Sequence, residues 1–286
     1  MIKKLKLLFA MIKFEHTVFA LPFAYMGMVL GAQGLPDFRS FILITLAMIG
    51  ARTYAMALNR LMDIDIDRRN PRTRDRALPK KRVARSEAVL FTAAALLLFF
   101  AAVYGLPSLC LKLWPVVILP MTFYSLTKRF TWLCHFLLGA CLGLAPPGSW
   151  IAVTGQMPVT GIYLLGLAVT FWTAGFDIIY SCQDYDFDRR EHLHSAPVRF
   201  GIRTSLRITK WLHGLTVILL VACGLCFSLG TIYYLGMMLV AIFLFYENTI
   251  VSEQDLSRVN AAFFTANGLV SIIAFGFTLT AVYLQQ

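Results

Sequence analysis

Charge is scarce in this chain, and negative charge is scarcer still. Only 14% of the 286 residues are Asp, Glu, Lys or Arg, against about 25% in soluble domains. With 58% hydrophobic residues and a mean hydropathy of +0.70, the composition excludes an ordinary soluble globule and identifies an integral membrane protein. Low-complexity tracts, fixed-period repeats and a polar segment large enough to fold apart are also missing, so residues 1–286 are expected to form one polytopic domain. No cleavable signal is evident. Residues 1–14 form a basic amphipathic lead into the first apolar run without a small-residue cleavage site, and are expected to stay in the mature protein. The six cysteines lie in or beside apolar segments, where packing is their expected role. Even Cys223-Gly-Leu-Cys226, with the spacing of a redox motif, sits in an uninterrupted apolar run.

What charge there is has a pattern. The formal charge of +11 might suggest a nucleic-acid partner, but the distribution of the basic residues excludes that role. Apolar runs of spanning length occur at about 14–32, 40–62, 87–106, 111–127, 130–152, 158–182, 206–228, 231–250 and 259–284, which predicts nine transmembrane helices. Of the Lys and Arg residues, 22 fall on one side of that arrangement; only Arg39 and Lys112 fall on the other, and Arg52 and Arg60 lie inside a span. This asymmetry predicts a cytoplasmic N-terminus in a cell membrane. It also puts the two acidic clusters of the chain on the same membrane face.

Those clusters are Asn59-Arg-Leu-Met-Asp63-Ile-Asp-Ile-Asp67 and Asp177-Ile-Ile-Tyr-Ser-Cys-Gln-Asp184-Tyr-Asp-Phe-Asp188. Each ends an apolar helix and precedes a basic loop. On a helix, residues four apart share one face with Cβ atoms about 5–6 Å apart, so Arg52, Asn59, Asp63 and Asp67 form a stripe, as do Asp177, Asp184 and Asp188. Asp65 and Asp186 are offset from it. Two carboxylates that close repel unless a cation lies between them, and Mg²⁺ usually takes one or two carboxylates plus substrate phosphates. The pairs Asp63/Asp67 and Asp184/Asp188 therefore suggest a shared site for Mg²⁺ and a polyphosphate. Arg52, Arg72, Arg76, Lys128, Arg189, Arg190, Arg199 and Arg203 are the cations available to its outer oxygens, and Tyr124 precedes Lys128 as Y-x-x-x-K. Asp177 lies two turns inside the apolar run, where an ionisable group is costly and is functional or paired; Arg52 and Arg60 are its candidate partners. The pattern of helix, acidic end, basic loop and helix occurs twice, at about 50–90 and 175–215, which suggests duplicated halves at about 1–152 and 153–286.

Together these residues resemble the UbiA superfamily of intramembrane aromatic prenyltransferases over essentially the whole chain. The resemblance rests on N-x-x-x-D-x-x-x-D at Asn59, Asp63 and Asp67, R-x-L-P at Arg76–Pro79, Y-x-x-x-K-R at Tyr124–Arg129, and Asp177, Asp184 and Asp188, all in family order. It implies an all-α fold of nine transmembrane helices, two four-helix units plus one, around a central cavity capped by cytoplasmic loops. It also implies Mg²⁺ ligation by Asp63, Asp67, Asp184 and Asp188, with diphosphate contacts from Asn59, Arg76 and Lys128; Arg72 and Arg52 are further candidates. The segments Lys13-Phe-Glu-His-Thr-Val-Phe-Ala-Leu-Pro22, Thr127-Lys-Arg-Phe-Thr-Trp-Leu133 and Phe176-Asp-Ile-Ile-Tyr-Ser-Cys-Gln-Asp184 resemble the bacterial 4-hydroxybenzoate polyprenyltransferase branch, which includes the prenyltransferase of futalosine-type menaquinone synthesis. One departure is Arg60, where many members have Asp.

The implied reaction joins a polyprenyl group, from polyprenyl diphosphate, to a hydroxylated aromatic carboxylate such as 4-hydroxybenzoate or 1,4-dihydroxy-6-naphthoate. Its expected setting is the bacterial cytoplasmic membrane, with the lipid bilayer as a third partner. Asp177, Lys128 and Tyr124 are the candidate catalytic residues, Asp177 as proton acceptor, and Glu15, His16 and His194 are candidate acceptor contacts. Haem and chlorophyll prenylation are less similar alternatives. A transporter would place its ionisable residues near mid-membrane, whereas these acids cluster at one rim. A CDP-alcohol phosphotransferase would need D-G-x-x-A-R ahead of its acids, which neither cluster has.

Overall fold

A computed structural model describes residues 2–13, 17–259 and 267–285, and every regular element among them is helical. The first half runs through α1 (Ile2–Met11), α2 (Thr17–Ala32), α3 (Phe38–Met62) and the short α4 (Ile64–Arg69). A basic loop then leads to α5 (Arg85–Tyr104), α6 (Ser108–Lys112), α7 (Trp114–Thr127), α8 (Cys134–Gly143) and α9 (Ala145–Thr154). The second half begins with α10 (Thr160–Ser181), which passes through a 3₁₀ turn at Cys182–Asp184 into α11 (Tyr185–Arg190). It continues with α12 (Ala196–Phe200), α13 (Ile202–Cys226), α14 (Thr231–Thr249) and α15 (Asn267–Tyr283).

Each apolar run of the sequence contains at least one of these helices, but their lengths differ. Six segments are long and apolar enough to cross a membrane: Phe38–Met62, Arg85–Tyr104, Cys134–Thr154, Thr160–Arg190, Ile202–Cys226 and Thr231–Thr249. Ala20–Ala32, Trp114–Thr127 and Asn267–Tyr283 are apolar and shorter. Proline explains two of the boundaries. Pro115 has no N–H, which costs nothing in a first turn, and the chain accordingly breaks at Leu113 and restarts as α7. Pro146 and Pro147 likewise occupy the first turn of α9, so the run predicted over 130–152 is two helices joined at Leu144.

Neighbouring helices close a ring: α2, α3, α7, α8, α10, α13, α14, α15 and back to α2. Lipid is as apolar as the side chains it replaces, so close packing and small residues must hold such helices together. The contact of α8 with α10 illustrates this. A Cβ on Gly139 would lie 2.3 Å from the Thr170 carbonyl oxygen, and one on Gly143 2.5 Å from that of Gly166. Only glycine permits that approach. Around α10 the second half is densely filled, with Trp172 fully buried between Phe23 and Phe176, each ring centroid 4.9 Å away. Outward-facing side chains such as Leu90, Trp211 and Phe245 are exposed and apolar, as a lipid-facing surface requires.

Two cavities open among these helices. Their walls come from α3, α5, α7, α8 and α9, the loop after α4 and part of α10, while α13 packs on the other side of α10 and α13 to α15 line neither. A large core around Trp172, Leu220 and Tyr233 fills the space among α2, α10, α13, α14 and α15.

Candidate active site

Both acidic helices break at the first carboxylate of D-x-x-x-D. Asp63 ends α3 with φ −99° and ψ 9°, and Asp184 precedes α11 with φ −99° and ψ 6°. The same backbone bend thus recurs in each half. At the first bend the Asp67 N–H still donates to the Asp63 carbonyl at 2.7 Å, so the shared face carries across the break. Asp67, Asp184 and Asp188 are buried, whereas the Asp65 side chain is 86% exposed and Asp186 is exposed. The two offset acids therefore lie outside the cluster.

Each clustered carboxylate meets a donor. Asp63 accepts from the Asn59 amide at 2.9 Å, and that amide also donates to the Ser125 hydroxyl at 3.1 Å. Asp67 accepts from Arg76 at 2.7 and 2.8 Å, with Arg60 3.6 Å away. Arg60 thus brings a second cation to Asp67. Asp184 receives a two-pronged contact from Arg72, through Nε at 2.9 Å and through Nη2, and a further bond from the Asn70 amide at 2.9 Å. Such charge-assisted forks are the strongest of protein hydrogen bonds. Lys128 caps α7 and pairs with Asp188 at 2.8 Å.

Outside the spans, ionisation follows these contacts. Burial, then the neighbouring Asp67 charge, raises the Asp63 pKa. Burial and the nearby Arg60 lower that of Arg76. For Arg72 and Lys128 burial also opposes the charge, but the Asp184 and Asp188 carboxylates prevail and raise both.

Two cavities meet here. A polar one of about 270 Å³ is lined by all the candidate diphosphate residues (Arg52, Asn59, Arg72, Arg76 and Lys128) and by Asp63, Asp67, Asp177 and Asp184. An apolar one of about 320 Å³ runs on from it between α3, α7, α8 and α9, past Phe99, Val117, Leu144 and Ile151. Arg52, Met56, Tyr124, Leu138 and Leu142 line both, so the candidates Arg52 and Tyr124 stand at the junction.

Several residues of this site are not apparent from the motifs. His135 is 2% exposed, and its Nδ1 lies 2.7 Å from Asp177 Oδ2. It, and not Arg52 or Arg60, is the partner of Asp177. Asn70, Ser125, Lys13 and Tyr180 also line the polar cavity. The one available signal was the position of His135, four and eight residues before Gly139 and Gly143 on the same helix face.

Other candidates fall elsewhere. The His194 side chain is exposed and lines neither cavity; its backbone N–H donates to the Lys128 carbonyl at 2.7 Å instead. Arg189, Arg190, Arg199 and Arg203 are exposed and outside the polar cavity. Glu15 and His16 lie outside the described residues.

For Mg²⁺ the donor chemistry fits. Asp188 is fully buried; its Oδ1 is met by the Lys128 ammonium at 2.8 Å, while its Oδ2 has no hydrogen-bond partner. Buried oxygens so poorly satisfied suit a further cation. Among the described residues no three His, Cys, Asp or Glu side chains form a metal cage, and Mg²⁺ would complete its octahedron with phosphate and water.

Comparison with known proteins agrees with this geometry. Residues 20–269 match the UbiA prenyltransferase family. The 4-hydroxybenzoate octaprenyltransferase of Marinobacter nauticus is 31% identical over 260 residues, covering 91% of this chain and 88% of that protein. The enzyme of the same name from Vibrio cholerae is 30% identical, covering 89% of each. Among solved structures, the apo form of a UbiA homolog from Aeropyrum pernix K1 superposes with a TM-score of 0.84 at 34% identity, covering 93% of this chain and 98% of that one. A UbiA homolog from Archaeoglobus fulgidus bound to DMAPP and Mg²⁺ shares the fold, with a TM-score of 0.71 at 21% identity over 99% of each chain. By sequence and by fold, the chain belongs to the UbiA prenyltransferase family.

Proposed function

We propose that this protein transfers a polyprenyl group from polyprenyl diphosphate to a hydroxylated aromatic carboxylate, with 4-hydroxybenzoate the first acceptor to test, in a Mg²⁺-dependent step of quinone biosynthesis. The observation that carries this reading is the junction of the two cavities, where a charged chamber opens into an apolar one past Arg52 and Tyr124. An amphiphile with a diphosphate head and a hydrocarbon tail fits that pair. At about 0.8 kcal/mol per buried CH₂, such a tail strongly prefers apolar surroundings.

Asp63, Asp67, Asp184 and Asp188 would hold Mg²⁺, which when bound supplies Lewis-acid neutralisation of phosphate charge. Asn59, Arg72, Arg76 and Lys128 bind the outer phosphate oxygens. Arg76 and Lys128 stabilise the negative charge that grows on the departing diphosphate, an effect strengthened where water is excluded. The allylic carbon is left positive at the junction, where the Tyr124 ring offers a π face. The acceptor ring attacks it, and Asp177 takes the displaced ring proton.

The excess of Lys and Arg at the acidic ends supports placing that chamber toward the cytoplasm of a bacterial cell, with nine spans in two four-helix units plus one. The test incubates membranes containing the protein with Mg²⁺, labelled polyprenyl diphosphate and, separately, 4-hydroxybenzoate and 1,4-dihydroxy-6-naphthoate. A lipid-soluble labelled product absent from the Asp63→Ala plus Asp184→Ala double variant is expected. No product from either acceptor, with wild type matching the double variant, would sink the reading.

A further inference from the structure

Asp177 stands apart from the other acids. Its neighbour is not a cation of the basic loops but a histidine, and that histidine is held at both ends. The Ala196 backbone N–H donates to His135 Nε2 at 3.1 Å. A backbone amide can only donate, so Nε2 carries the lone pair and the ring proton resides on Nδ1. That proton points at Asp177 Oδ2, 2.7 Å away. The backbone thus selects the neutral Nδ1–H tautomer, and the tautomer makes His135 a hydrogen-bond donor to the carboxylate.

The same contacts tie three parts of the site together. His135 sits one turn before Gly139 on the face of α8 that packs closely against α10, which brings it alongside Asp177. Ala196 begins α12 behind the Ser195 N-cap, whose hydroxyl accepts from the Val198 N–H. The loop before it is fixed to the end of α7 and the start of α8 through His194 N–H to Lys128 O at 2.7 Å and Cys134 Sγ to His194 O at 3.5 Å. His135 itself is 3% exposed at its side chain, while the Asp177 side chain is 26% exposed and lines the polar cavity. Asp177 Oδ1 makes no hydrogen bond among the described residues, so one oxygen is anchored and the other is left for a group in the cavity that Asp177 lines.

We propose that His135 is a positioning residue, clamped by the Ala196 N–H, that fixes the Asp177 carboxylate with Oδ1 turned toward the acceptor ring. This rests on the prenyl-transfer reading above. In the step it serves, a ring π pair forms the new carbon–carbon bond to the allylic carbon. The C–H pair at that ring carbon then returns to the ring, and its proton passes to Asp177 Oδ1. His135 keeps its own proton throughout.

The test uses the full-length protein in membranes, with acceptor deuterated at the ring carbon beside the hydroxyl. His135→Leu removes the donor, and is expected to lower kcat on the order of 10²-fold, the range of a lost acid–base contribution, with KM for polyprenyl diphosphate unchanged. Because proton loss then limits turnover, a deuterium isotope effect absent from wild type is expected to appear. His135→Asn places an amide donor near the Nδ1 position and is expected to restore part of kcat and shrink the isotope effect, which keeps the test decisive if the leucine variant folds poorly. A merely structural histidine predicts lower thermal stability and lower kcat with no isotope effect in either variant; that result, or full activity in both, overturns the proposal and leaves prenyl transfer intact. Wild type that forms no aromatic product removes the prenyl-transfer reading, and this proposal with it.

Discussion

The two acidic clusters are alike in backbone and unlike in company. Each has an aspartate at the same bend, near φ −99° with ψ close to zero, followed by a six-residue helix that begins acidic and ends Arg-Arg. Their cations, however, come almost entirely from the first half. Arg76 and Arg60 serve Asp67, and Arg72 and Asn70 cross over to Asp184, while Lys128 reaches Asp188. The second half's own basic loop returns none of this: Arg189, Arg190, Arg199 and Arg203 stay exposed. The two ends thus share a backbone bend and a pair of carboxylates, while the cations that meet those carboxylates come from residues 60–128. The cavities are lined mostly by the first half, with α10 the one long second-half helix that contributes and α13 to α15 lining neither.

That comparison can be broken most directly at the acids. If both halves hold one metal, then chelation of divalent ions abolishes turnover and added Mg²⁺ restores it, measured as labelled product per unit time. Asp67→Asn and Asp188→Asn should each lower kcat by on the order of 10²–10³-fold, the scale of one lost electrostatic stabiliser. A large loss in one cluster only would show that the halves are not equivalent as ligand sets.

The cations should then separate the halves. Arg76→Ala and Lys128→Ala are expected to raise KM for polyprenyl diphosphate and lower kcat by about 10- to 100-fold in kcat/KM, a few kcal/mol of charge-assisted bonding at most. Arg199→Ala and Arg203→Ala should leave kcat/KM unchanged within error. Equal losses in the two sets would refute the first-half concentration of phosphate contacts. On stability, Arg72→Leu strands the buried Asp184 carboxylate. Removing one member of a buried pair costs about 3–5 kcal/mol, and the Asn70 bond that remains places this case near the lower end, read as a lowered melting temperature. Asp65→Asn and Asp186→Asn mark the smallest effect: both acids are exposed, and neither activity nor melting should move.

Much of this site is legible along the chain because helices make spacing geometric. Intervals of four and seven residues place Asn59, Asp63 and Asp67 on one face without reference to any partner, and they separate Asp65 and Asp186 from the cluster for the same reason. Arg72, Arg76 and Lys128 follow as neighbours in the adjoining loops. His135 does not. It is 42 residues from Asp177, and its spacing from Gly139 and Gly143 marks a closely packed face without saying which helix packs there. His194 fails in the opposite sense: a loop histidine close to the acids in sequence, it contributes its backbone to the site and leaves its side chain outside.

The sequence by itself determined the membrane setting, the all-helical class and the one-face spacing of each acidic cluster, because composition, apolar run length and helical period are local properties of a chain. Which cation meets which carboxylate was decided only by tertiary structure. So were the joined cavities and the contact of His135 with Asp177 and the Ala196 N–H, since each depends on groups that approach one another across helices whose separation is set by packing.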